Sequence, residues 1–384
     1  MGVFVLSSAI NYLDRQTLTT LAPVLRAEFR LSHAEYGWIL GAFSIAYAAS
    51  APLAGAFIDR VGLNRAISVA VGLWSCAGIA TGLTRGLGGL VGCRAVLGAS
   101  EAAGIPAAGK AIGTLLAPAE RAMGNALNQA GVSLGTMAAL PLAAWLAGAA
   151  GWRSAFLATG ALGLLWIPVW NLAARRAGAV DTLRAARLPD TDVLRNRRLW
   201  AFVAANSLAM VGYSLWTNWT TQYLVDVHRI PLAQAAHYAI LPAAAALAGG
   251  LTGGWGSLRL VKHGVPAMTA RFRVCLAAAV LSLVNAAIPA AASPAWSAAA
   301  ISAAMFAVSA MSVNVYTLPL DAFGVAHAAF AVSLLVATYG ALQFVISPAI
   351  GWAVDLHGYA PAAAAAAVTP LAACAVLWFT RATR

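Results

Sequence analysis

The chain has 384 residues, of which 61% are hydrophobic and only 9% charged. A soluble protein carries about 25% charged residues, so this composition excludes a water-soluble globular domain. The net charge of +12 would suit a nucleic-acid binder, but the basic residues cluster in short loops between apolar runs, the pattern that orients helices in a membrane.

Twelve apolar segments follow in chain order, at 3–26, 34–57, 65–84, 87–109, 122–147, 154–174, 199–224, 232–257, 267–289, 295–318, 328–353 and 360–380. A helix needs about 20 apolar residues to cross a bilayer, and within lipid only helices and closed barrels satisfy their own backbone. The alternation of a barrel strand is absent. The expected fold is an all-α membrane protein of twelve transmembrane helices in two pseudo-symmetric bundles, residues 1–174 and 199–384, joined by a basic cytoplasmic linker at 175–198. The first segment has neither a basic start nor a small-residue cleavage site, so no removable signal peptide is expected.

Both termini are expected on the cytoplasmic side of a cell inner membrane. That orientation gathers Arg60, Arg65, Arg121, the linker arginines, Arg259, Lys262, Arg271, Arg273, Arg381 and Arg384 inside. It leaves only Arg26, Arg30, Arg85, Arg153 and Arg229 outside, in accord with the positive-inside rule. Cys76, Cys93, Cys275 and Cys374 lie inside apolar runs without CxxC spacing, and they read as packing residues with no metal or disulfide role.

A repeat crosses the divide. The loop after the second segment, Gly55-Ala-Phe-Ile-Asp59-Arg60-Val-Gly62-Leu-Asn-Arg65, has a partner after the eighth that includes Gly253, Gly254, Ser257, Arg259, Lys262 and Gly264. Duplicated halves imply a binding site near the bilayer midplane between them. Asp59, Arg60 and Arg65 are the candidate gating residues, a charge latch at the cytoplasmic end of the second helix. The second copy has Leu258 after Ser257, where an acid is expected, so its latch is weaker. This GxxxDRxGxxR run resembles the signature loop of the major facilitator superfamily.

Four ionisable residues fall at membrane depth: Asp14 and Arg15 in the first helix, Arg94 and Glu101 in the fourth. Each costs at least about 2.5 kcal/mol on the insertion scale unless paired or solvated. Arg94 and Glu101 are seven apart and share a helical face; Asn11 and Arg15, four apart, do likewise. With both acids ionised, the arginines are neutralised. With both protonated, two positive charges remain to attract an anion. This arithmetic predicts proton-coupled uptake of an organic anion, held by Arg15 and Arg94, since a guanidinium fork matches a carboxylate. In the second half the charges fall in or beside loops, and the helices offer neutral groups, of which Tyr316, Tyr339 and Gln343 are the stronger substrate candidates.

Asn11-Tyr12-Leu-Asp14-Arg15, Leu31-Ser32 before Tyr36-Gly37-Trp38, Phe43 and Tyr47, Arg94 followed by Glu101-Ala-Ala-Gly-Ile-Pro106, Glu120-Arg121, and Gly151-Trp152-Arg153 together resemble the anion:cation symporter family, which includes bacterial hexuronate and galactonate transporters. The resemblance spans residues 10–170 and fades afterwards. It implies that Tyr12, Arg15, Tyr47 and Arg94 bind the substrate, that Asp14 and Glu101 couple protons, and that a polar residue of the fifth helix, Asn128 or Gln129, assists. The asparagine that sugar-acid members place near 339–343 is absent, and the tryptophan-proline pattern of the seventh helix is altered, which leaves a less hydroxylated carboxylate open. No cofactor beyond the coupling proton is implied, and a monomer in the lipid bilayer is expected. An exporter or antiporter of organic anions or drug-like compounds on the same fold would look similar. A membrane-embedded enzyme lacks support, because no metal-ligand pair, nucleophile–base set or phosphate loop is evident. Gly131 and Gly135 form a small-residue packing face, and Pro106 is expected to interrupt the fourth helix close to Glu101.

Overall fold

The computed structural model describes residues 2–115, 121–176 and 192–382, all of it helix, turn or short connection, with no strand among the described residues. The first compact unit, Met1–Arg187, contains α1 (Gly2–Thr20), α2 (Ala22–Phe29), α3 (His33–Val61), α4 (Leu63–Gly82), α5 (Leu87–Glu101), α6 (Gly104–Leu115), α7 (Arg121–Ala150) and α8 (Trp152–Arg176). The second, Leu188–Arg384, contains α9 (Arg197–His228), α10 (Leu232–Lys262), α11 (Ala267–Leu281) with a 3₁₀ continuation at Ser282–Ala290, α12 (Pro294–His357) and α13 (Ala360–Ala382).

Nine stretches among the described residues are long and apolar enough to cross a membrane, and α12 supplies two of them, Pro294–Phe323 and Leu334–His357. The remaining expected crossings are α1–α2, α3 and α5–α6. Two of these three are broken. Pro23 opens α2 just after α1 ends. Regular bonding in α5 stops at Glu101, where the Ala103 N–H turns to the Ser100 carbonyl in a tighter turn. Pro106 is the physical cause, since its ring excludes the carbonyl four residues back. The interrupted helices are also the ones that carry the membrane-depth charges.

Each unit pairs its helices in the same order. In the first, α1 packs on α7, α3 on α5 and α4 on α8. In the second, α9 packs on the last part of α12, through Asn206 and Leu335, and α10 packs on its first part, at Gly249 with Phe306 and Gly253 with Ala310. α11 packs on α13. First with fifth, second with fourth and third with sixth is therefore the rule in both. A matching local device supports the repeat. α2 and α9 both end at an arginine in the left-handed region, Arg30 at φ 53° and Arg229 at φ 56°. Non-glycine residues seldom adopt this conformation.

Close packing relies on absent side chains. Gly131 and Gly135 of α7 meet the backbone of Val5 and Ala9 on α1, and Gly98 of α5 meets the Phe43 carbonyl of α3. A Cβ at any of the three would overlap backbone atoms, so the helices approach only because these positions are bare.

Of the latch residues, Arg60 and Arg65 are exposed at the α3–α4 turn, while the side chain of Asp59 lies outside the described residues, as do residues 177–191 of the linker, Glu120 and the side chain of Arg121. The Lys110 ammonium of α6 donates to the Ile58 carbonyl at 3.1 Å, which caps the end of α3 beside that latch.

Gly135→Leu is expected to lower the stability of the protein in detergent by about 1–3 kcal/mol, the usual cost of overpacking. Gly148→Leu on the same helix meets open space and should be silent. Thermal unfolding of the two variants side by side checks this.

Candidate functional site

The site is built on α1, α3 and α5. Successive residues on a helix point about 100° apart, so Asp14 and Arg15 leave α1 in different directions. Arg15 turns toward α3 and α5. There its Nη2 and Nε donate to one oxygen of Glu101, Oε2, at 2.7 and 3.1 Å. Glu101 is wholly buried, whereas a quarter of the Arg15 side chain remains exposed. The guanidinium carbon also lies 4.8 Å from the ring centre of Tyr12, 4.6 Å from that of Phe43 and 5.5 Å from that of Tyr47. Such contacts hold a cation by the negative face of the ring.

Arg94 lies two turns before Glu101 on α5 and is 2% exposed. Its Nη2 donates to the Arg15 carbonyl at 3.2 Å, and its guanidinium lies 5.7 Å from the Phe43 ring. The face shared by Arg94 and Glu101 thus grips one residue twice, by its main chain and by its side chain. Gly98, between them, makes the grip possible by letting α5 settle on α3 at Phe43. Among the described residues, Arg94 Nε and the second Glu101 oxygen, Oε1, have no hydrogen-bond partner. Asn11 sits beside Glu101, with its amide nitrogen making no bond within hydrogen-bond geometry among the described residues.

Asp14 faces the other way, toward α4 and α8. One of its oxygens lies by Gly78, and the Thr159 hydroxyl is within interaction range. It is 4% exposed, and neither carboxylate oxygen has a hydrogen-bond partner among the described residues.

Tyr12, Arg15, Tyr47, Arg94 and Glu101, singled out from the sequence, therefore come together within the first unit. Asn128, on α7, meets α1 nearer its start, where it accepts from Ser8 Oγ at 2.7 Å; its neighbour Gln129 is exposed. In the second unit, Gln343 is buried and fully engaged. It accepts from Ser214 at 2.6 Å and from Ser347 at 3.2 Å, and donates to the Tyr339 hydroxyl at 2.5 Å. Tyr316 is half-buried on the earlier part of α12. Phe43 was not among the expected binding residues, although it lies one turn before Tyr47 on the same face. That i, i+4 spacing of two aromatics was the available signal. Asn285, which accepts from Trp216 Nε1 at 2.5 Å, gave none, because a lone asparagine in an apolar run has no distinguishing pattern.

Removing one member of a buried ion pair costs about 3–5 kcal/mol, whereas replacing both by apolar residues is often neutral. Glu101→Ala is therefore expected to unfold at a lower temperature than the parent, and Arg15→Met/Glu101→Leu to recover most of that loss. A double variant no more stable than the single one would show that the pair does not organise the unit.

The comparisons with known proteins agree with this architecture. A family model described as the Major Facilitator Superfamily matches residues 4–335. The chain is 27% identical over 398 residues to the hexuronate transporter of Escherichia coli K12, an alignment that covers 98% of this chain and 92% of the relative. It is 28% identical over 284 residues to the galacturonate transporter of Dickeya chrysanthemi, covering 68% of this chain and 82% of that one. The crystal structure of a bacterial homologue of the human lysosomal transporter Spinster, in an inward-facing and occupied conformation, superposes with a TM-score of 0.80 at 21% identity, over 100% of this chain and 96% of that one, a likeness of fold alone. The chain belongs to the Major Facilitator Superfamily and is a multi-pass membrane transporter, not an enzyme.

Proposed function

We propose that this transporter takes up a small organic anion, a sugar acid or a related carboxylate, together with protons, by alternating access across a bacterial inner membrane with both termini in the cytoplasm. The observation that carries the reading is the partly exposed Arg15 guanidinium, held by a buried glutamate and a ring of aromatics, with a second buried acid behind it. The transporters of hexuronate and galacturonate among its relatives favour a sugar acid.

The proposed cycle follows from charge. While Glu101 is ionised, it occupies the Arg15 fork and competes with any substrate carboxylate. A proton on Glu101 removes that competitor and frees the fork. Tyr12 and Tyr47, beside the guanidinium, are placed to meet substrate oxygens, and Arg94 adds a second positive charge that no acid contacts directly among the described residues. Loss of the proton on the low-proton side restores the Arg15–Glu101 pair and displaces the anion. Asp14 supplies the second proton site, since a buried carboxylate with no donor is costly as a charge. Arg60 and Arg65, with Asp59, are proposed as the gate on the cytoplasmic side. Tyr339, Gln343 and Tyr316 are proposed to act on substrate choice, together with Asn128 and Gln129.

Protons are taken up with the anion in this scheme, so acid outside and neutral inside should drive uptake, and the reverse gradient should suppress it. In proteoliposomes, accumulation of galacturonate is expected only under the inward proton gradient. Asp14→Asn/Glu101→Gln should abolish accumulation while retaining exchange of labelled for unlabelled substrate. Accumulation that ignores the gradient, or survives in the double variant, would overturn the proposal.

A further inference from the structure

The carboxyl group of Asp14 occupies a seam that the Arg15–Glu101 cluster does not reach. The seam is formed by α1, α4 and α8, and it is closely packed. A Cβ on Gly160 would lie 2.7 Å from the Ser75 carbonyl oxygen of α4, whereas one on Gly78 would make ordinary contact, 3.8 Å from the Gly160 Cα and 3.9 Å from Asp14 Oδ1. One turn along, Gly163 leaves room for the Ser75 side chain, beside Ile10. Thr159, which precedes Gly160, is 1% exposed, and its hydroxyl lies within interaction range of the Asp14 carboxyl. In the structure that hydroxyl donates to the Phe156 carbonyl through a long bond of 3.4 Å, while both Asp14 oxygens go unpartnered among the described residues.

We infer that Thr159 is the positioning residue for the proton carried at Asp14, and that this proton resides in the α1–α4–α8 seam, apart from the anion-binding face of α1. The inference rests on the proton-coupled reading above and adds to it a residue and a location. A hydroxyl can serve both states of the acid. Toward a neutral carboxyl it accepts, keeping its own hydrogen on Phe156. Toward a carboxylate it rotates and donates, and a hydrogen bond to a charged acceptor is the stronger of the two. No atom is transferred through Thr159; it selects which state of Asp14 the seam tolerates. The glycines leave little space for the ligand shell of a hydrated cation, so a proton is the fitting neutraliser.

The charged groups within electrostatic reach of Asp14 are Glu101 and Arg94, both from α5. α4 and α8 present Ser75, Gly78 and Thr159, which do not titrate, so among the described residues Glu101 is the one other titrating group in reach, and repeating the comparison in a Glu101→Gln background separates its contribution.

The test is the pH profile of uptake in proteoliposomes. Thr159→Val keeps the shape of the side chain and removes the donor. Its profile should move to more alkaline pH by about one unit, equivalent to the loss of about 1.4 kcal/mol of preference for the charged acid. The substrate concentration for half-maximal uptake at acidic pH should stay unchanged, and Thr159→Ser should restore the parent profile. If Thr159→Val does not fold, Thr159→Ala carries the same expectation. A profile that does not move, or a Thr159→Ser variant as impaired as Thr159→Val, overturns the inference. Loss of accumulation in Asp14→Asn alongside an unmoved Thr159→Val profile would defeat this inference alone, whereas full accumulation in Asp14→Asn would defeat the coupling at Asp14 itself.

Discussion

The ion pair between Arg15 and Glu101 is the contact on which the first unit depends. In a buried, apolar setting neither charge is tolerable alone, so the pair dictates that α1 and α5 present these two residues to each other. Everything around them serves that meeting. Gly98 lets α5 come down on α3 at the Phe43 carbonyl. Phe43, Tyr47 and Tyr12 then form aromatic walls around the guanidinium, and Arg94 fastens the α1 main chain from the same face of α5. A contact so demanding in structure is also suited to a switch. In the proposed cycle, neutralising the acid releases a guanidinium already oriented and a quarter exposed.

The second unit is organised by different chemistry. Its interior polar groups are neutral and bind one another: Ser214, Gln343 and Tyr339 form a chain, Trp216 meets Asn285, and Asn314 donates to the Gly253 carbonyl of α10. In lipid such bonds join helices at modest energy, and they ask for no counterion. The ion pair Arg271–Asp321 joins the start of α11 to α12 at the end of its first crossing, Pro294–Phe323. One scaffold, built twice with the same helix pairing, thus holds charges in one copy and neutral hydrogen bonds in the other. That contrast is the reason for proposing coupling in the first unit and substrate choice in the second.

Much of this could be read from the chain before any coordinates. Long apolar runs and sparse charge announce membrane helices because lipid leaves few alternatives. The seven-residue spacing of Arg94 and Glu101 puts them on one face by helical geometry, and Pro106 breaks its helix where backbone sterics require. The repeat was legible in the α3–α4 loop, yet the paired left-handed caps at Arg30 and Arg229 escaped notice, since nothing in an arginine forecasts a positive φ. Gln343 shows the limit from the other side. Its polar side chain in an apolar helix marked it as a candidate ligand, and the fold shows each end of its amide already bonded to Ser214, Ser347 or Tyr339.

The sequence by itself determined the class of the protein, the number of its crossings and the identity of the four costly charges. It did so because those are properties of composition and local spacing. It could not say which charge meets which. Asp14 and Arg15 are neighbours in the chain, and only the seating of α1 on α7 and α8 turns the arginine to Glu101 of α5 and the aspartate toward Gly78 of α4. Pairing across 86 residues is decided by which backbones can approach, and that depends on glycines such as Gly98 and Gly160, whose contribution is the space they leave.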